Sequence, residues 1–173
     1  MTIDWNALGA MGELLGAVIL IASVIYLSRQ IRSNTDQATA EAEREVQRDF
    51  MHIQELISTR SETLLVFRKG LVSFNELSNS DKAVFHFTMS LFVNHFEGVL
   101  RMNSKGLLSG DLVETQGNIV MMLLASRGCR EFWNVAGETF SDLSTAYINS
   151  RLSAVGEWGN IVDVFPYFAE RDA

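Results

Sequence analysis

Two hydrophobic patterns follow one another in the first third of the chain. Residues 8–27, with GELLGAVILIASVIYL at their heart, form an almost unbroken apolar run whose single charge is Glu13. Such a run, wound as a helix at about 1.5 Å per residue, reaches roughly 30 Å, the thickness of a bilayer's hydrocarbon core. It predicts a transmembrane helix. From Ile31 onward the apolar positions recur every third or fourth residue: Ile31, Ala38, Ala42, Val46, Phe50, Ile53 and Ile57, with Glu41, Glu43, Arg44, Glu45, Arg48 and Asp49 between them. That is the signature of an amphipathic helix of about 25 residues. No Gly or Pro separates the two patterns, so the simplest expectation is one continuous helix; a break near Ser33-Asn34 is the alternative.

The remaining segments also carry helical spacing. A short helix is expected over 62–72. Ser78-Asn79-Ser80-Asp81 then offers a capping-box start, in which side chains satisfy the free N–H groups of a first turn. The helix it opens has Phe85, Met89, Phe92, Phe96 and Val99 on one stripe and Val84, Phe87 and Leu91 on the other side, which predicts a central place in a bundle. His86, Ser90, Asn94, Glu97 and Arg101 form its polar stripe, and Lys105-Gly106 ends it. Ser109 or Asp111 starts the next helix, with a stop expected at Arg127-Gly128, followed by a short segment holding Phe132 and Trp133. Ser141 caps a last clear helix to about Leu152. The tail from Gly156 carries Trp158, Ile161, Val162, Val164, Phe165, Tyr167 and Phe168, too apolar to float free, and should dock on the bundle, a neighbour or a membrane surface. Pro166 is the single proline. The expected class is all-α: a transmembrane anchor (1–32) continuous with a long amphipathic helix, a cytoplasmic helical bundle (33–155) and an aromatic docking tail (156–173).

The flanks of the apolar run strengthen the membrane reading over a buried core helix. Trp5 and Tyr26 stand 21 residues apart, about 32 Å on a helix, which suits one aromatic anchor at each interface. Arg29, Arg32, Arg44 and Arg48 follow the run and no Lys or Arg precedes it. The positive-inside bias then places the N-terminus outside and the bulk of the chain in the cytoplasm. A cleaved signal peptide fits poorly, because it needs a basic start, and Ala38-Thr39-Ala40 lies too far beyond the run. Within the run, Gly9, Gly12, Gly16 and Ser23 fall near one helical face, where small residues let two backbones approach in lipid. Glu13 lies beside them. A carboxylate there either faces protein or reaches outward to the headgroups.

Composition narrows function mainly by exclusion. The chain of 173 residues has a net charge of −7, which disfavours nucleic acid as a partner. One cysteine, Cys129, rules out an intrachain disulfide framework; its neighbours Phe132 and Trp133 mark it as a core residue rather than a nucleophile. His52-x-x-Glu55 has no second copy, and His86 and Glu97 lie three turns apart, so no metal site is expected. No nucleophile elbow or phosphate loop occurs. Glu97 and Arg101 read as an ordinary i, i+4 pair. No cofactor is implied.

The stretch from Asp4-Trp5-Asn6-Ala7-Leu8-Gly9 through Gly12-Glu13 to Tyr26-Leu27-Ser28-Arg29-Gln30-Ile31-Arg32-Ser33-Asn34-Thr35 resembles a family of short, uncharacterised bacterial proteins with one N-terminal membrane helix. Phe96-Glu97 through Gly106-Leu107-Leu108, and Gly128-x-x-x-Phe132-Trp133 to Phe140-Ser141, are similar too. The resemblance implies a bacterial inner-membrane setting and a helical cytoplasmic part; it implies no catalytic residue. The leading expectation is a non-enzymatic, self-associating membrane scaffold with the lipid bilayer and further copies of itself as partners. Two alternatives stand beside it: an accessory subunit of a larger membrane complex, and a sensor that binds an apolar ligand in the phenylalanine-rich bundle.

Overall fold

The structure is a computed structural model and describes residues 5–153 and 160–169. The described residues form helices and turns, with no strand among them. Helix α1 (Trp5–Ser58) is unbroken through Ser33-Asn34, as the lack of Gly and Pro there predicts. It is followed by α2 (Ser61–Val72), α3 (Asn79–Ser104), α4 (Gly110–Leu124), α5 (Arg127–Ala136), α6 (Asp142–Leu152) and the short α7 (Ile161–Val164), with single 3-10 turns at Gly137–Thr139 and Pro166–Phe168.

Contacts divide the chain into two compact units, Met1–Glu41 and Ala42–Ala173. In the first unit, α1 is long and apolar enough to cross a membrane: its most apolar window has a mean hydropathy of 2.1 and is 0% buried. Leu14, Leu15, Val18, Ile19, Leu20 and Ile21 are all exposed. Ile31 and Ala38, expected to begin the buried stripe, are exposed as well.

In the second unit the stripe is buried from its first member: Ala42, Val46, Ile53 and Ile57 lie in the core. There they meet α3, whose Phe85, Met89, Phe92, Phe96 and Val99 are nearly inaccessible to solvent. Phenylalanine rings pack against one another through this interior. Phe67 of α2 stacks between Phe85 and Phe92, at 6.2 and 6.0 Å between centroids. Phe132 of α5 meets Phe85 and Phe74 edge-on, the geometry that ring quadrupoles favour.

The helix starts follow side-chain chemistry. Ser78 accepts a hydrogen bond from the Asp81 N–H at 3.1 Å, and Ser141 caps α6 through the Ser144 N–H. Each satisfies a donor that has no partner within the helix. Gly106, with φ +71°, ends α3 in the left-handed region that glycine enters without a Cβ penalty.

Two expectations need correction. Arg127-Gly128 is not a helix stop. Ser126 caps α5, accepting from the Cys129 N–H, so Gly128 lies inside its first turn. Nor is α3 covered all round: Val84 and Leu91 are partly exposed and Phe87 is 73% exposed, because neighbouring helices pack only on its Phe85–Val99 side.

Candidate functional site

The glycines of the two units are used differently. In the second unit, four of them sit where something packs tightly. A Cβ on Gly70 would enter the Phe85 ring, and one on Gly128 would strike the Gly70 carbonyl. One on Gly117 would meet the Tyr147 hydroxyl, and one on Gly137 would crowd the Trp133 indole at 3.0 Å. In the first unit, Gly9, Gly12 and Gly16 have nothing within 4 Å of that position. Their bare backbone serves no packing contact among the described residues. Gly98 and Gly110 are open too, but as isolated surface positions.

Geometry gathers the three helical glycines. At about 100° per residue, Gly9, Gly12, Glu13, Gly16 and Ser23 span roughly 100° of arc. All five are exposed. Ser23 donates its hydroxyl to the Ile19 carbonyl at 2.8 Å, so its polar group is satisfied inside the helix and presents only a small, non-demanding surface. Ser28 and Thr35 are satisfied the same way, on Val24 and Ile31. Tyr26, Arg29 and Arg32 are exposed beyond this face. Trp5 begins α1. Trp158 lies outside the described residues.

Of the tail, Ile161 is buried and Phe168 packs edge-on against Phe67 at 6.5 Å. Ile161 and Phe168 thus lie against the bundle. Phe165 and Tyr167 stay exposed and border a groove of about 360 Å³ that reaches inward to Phe67 and Phe92. Sequence spacing gave no sign of this groove, because it forms where α1, α2, α3, α4 and the tail converge.

Two carboxylates of the second unit tie separate elements together. Glu131 accepts from the Asn75 N–H at 2.9 Å, the Ser73 hydroxyl at 3.2 Å and Arg127 at 2.9 Å. The Asn75 N–H foremost holds its carboxyl below the usual carboxylate range. Glu97 does the same work between α3 and α6: it accepts from Arg101 at 2.6 Å and from Ser144 at 3.2 Å. It is thus more than the local pair its spacing suggested. Cys129 is fully buried beside the Met89 sulfur at 3.6 Å, and burial pushes its thiol up to about 12, the opposite of an activated nucleophile. Among the described residues no group of three His, Cys, Asp or Glu is placed to hold a metal. His52 and Glu55 are an exposed pair at 3.8 Å.

No family model, curated protein or solved structure matches the chain.

Proposed function

We propose that this is a single-pass membrane protein of the bacterial inner membrane whose first helix associates with a second copy of itself, making the chain a non-enzymatic scaffold. The observation that carries this is the unused glycine face. Within the folded unit, the buried glycines Gly70, Gly117, Gly128 and Gly137 mark close approach to a neighbour, while Gly98 and Gly110 lie open. Gly9, Gly12 and Gly16 are exposed, have no neighbour among the described residues, and unlike isolated Gly98 fall together on one face. In lipid, where apolar side chains gain little from meeting one another, close backbone approach and the dispersion it allows are what draw helices together.

The proposed topology has the N-terminus outside and the larger unit in the cytoplasm. Its support is the cluster Arg29, Arg32, Arg44 and Arg48 after the span, with no Lys or Arg before it in this chain. Trp5 and Tyr26 then serve as interfacial anchors. Glu13 belongs to the glycine face and would be shielded by a partner helix rather than by lipid.

Crosslinking in native membranes, at native expression, tests the proposal. The expected result is a homo-oligomer that Gly12→Leu and Gly16→Leu dissolve. A monomer, unchanged by either substitution, contradicts it. Unrelated membrane proteins crosslinked at fixed stoichiometry would instead favour an accessory subunit of a larger complex.

A further inference from the structure

The groove between the helices and the aromatic tail has its own chemistry. Its lining holds no carboxylate, ammonium, guanidinium or imidazole group among the described residues. Phe67 and Phe92 form its buried end, with relative exposures of 4% and 5%, whereas Tyr167, at 58%, stands at its open end. Gln54 and Ser58, one turn apart on α1 and both exposed, are its only polar residues besides the Tyr167 phenol among the described residues. The volume of about 360 Å³ lies at the lower end of small-molecule sites. With a water-sized group taking about 30 Å³, it has room for a chain of roughly ten methylenes.

These features exclude most ligand classes. A nucleotide, a sugar phosphate or a metabolite acid would meet no counter-charge and would lose its hydration on the phenylalanine walls. A two-chain phospholipid is too large. What fits is one apolar chain along Phe67 and Phe92, with an uncharged hydroxyl or carbonyl at the mouth, where amide and hydroxyl groups are available. The tail forms one wall of the groove and is held there. Asn160 caps α7 by accepting from the Val162 and Asp163 N–H groups, Ile161 anchors it in the core, and Phe165, Tyr167 and Phe168 pack ring against ring.

We infer that this groove is a binding site for a neutral, single-chain lipid, with its hydrocarbon on the phenylalanines and its hydroxyl or carbonyl head toward Gln54 and Ser58. The inference does not depend on self-association of the first helix.

The test uses the full chain reconstituted in phosphatidylcholine vesicles, free of single-chain detergent. The probe is a photoactivatable dodecanol, and the crosslinked peptides are mapped by mass spectrometry. Adducts on 9–28 report contact with the bilayer and adducts on 119–123 and 161–168 report the groove, so failure of the membrane reading and failure of this one are distinguishable. The expected result is groove adducts that excess 1-monolauroylglycerol suppresses by about tenfold, the behaviour of a site that accepts one chain. Laurate at pH 8 should compete weakly. Ile119→Trp, which fills the groove from a half-exposed position, should abolish groove adducts and leave those on 9–28. Cys129 staying closed to maleimide confirms that this variant is folded, and Gln54→Ala is a second variant without folding risk, expected to weaken competition by the monoglyceride. Labelling confined to 9–28, groove labelling that neither competitor reduces, or equal competition by laurate and the monoglyceride would overturn the inference.

Discussion

Gly128 of α5 lies directly against the backbone carbonyl of Gly70 in α2, so that a Cβ on Gly128 would collide with that oxygen. Backbone atoms, unlike a flexible side chain, have no rotamer into which to retreat. Gly128→Ala should therefore separate α2 from α5 and destabilise the fold by about 3 kcal/mol, at the upper end of overpacking costs. Gly12→Ala and Gly16→Ala, with open space at the same position, should leave the stability of the second unit within about 0.5 kcal/mol. Urea denaturation of the three variants checks the contrast.

Glu131 joins the turn after α2 to α5 through the Asn75 N–H and the Ser73 hydroxyl. Glu131→Ala leaves both donors without that acceptor and should cost about 2 kcal/mol. Because its folded carboxyl is held below the usual range, its contribution is present above the unfolded carboxylate value and disappears as pH falls through the folded one. Urea midpoints at pH 7 and pH 3 should show a smaller acid-induced drop in Glu131→Gln than in the native chain.

His95 acts in a higher pH window. It is half-buried beside the Phe50 ring, at 5.8 Å, and within 3.4 Å of the Gln116 side-chain oxygen. Burial lowers its pKa, against the opposing pull of Gln116 and Asp49. The folded state therefore prefers the neutral ring. Its contribution is complete above the ordinary histidine value of 6.5 and is lost as pH falls from there through the lowered folded value. Thermal melts between pH 7.5 and 5.5 should decline in the native chain and flatten in His95→Gln, which keeps an amide donor toward Gln116.

Cys129, with its thiol pushed up to about 12 and its sulfur buried against Met89, should not react with maleimide at pH 8 in the folded protein. Reaction should follow unfolding in urea, so the labelling rate reports the opening of the core. Rapid labelling of the folded chain would contradict this burial.

Local signals in the sequence were reliable wherever one element explains them. Ser78 and Ser141 were readable as caps because capping needs only the residues that follow. The Ala42–Ile57 stripe was readable because its period is its cause. Gly128 was misjudged for a physical reason: glycine serves both a helix end and a close helix crossing, and only the position of Gly70 in space distinguishes them. The exposure of Phe87 follows from which side of α3 its neighbours occupy, which periodicity does not encode. Glu131 and Asn75 lie 56 residues apart, and no spacing rule connects them. The glycine face was legible as a pattern; that its glycines serve no packing contact among the described residues was visible only beside the four that do.

The most direct test of the association face is a single-cysteine scan along residues 9–25, on a Cys129→Ser background, with oxidative crosslinking in native membranes. Positions 9, 12, 16, 20 and 23 should crosslink most, with minima at Leu14, Val18, Ile21 and Ile25 on the opposite side of the helix. Crosslinking that is absent, uniform, or strongest at Leu14, Val18, Ile21 and Ile25 would contradict a dimer built on the glycine face.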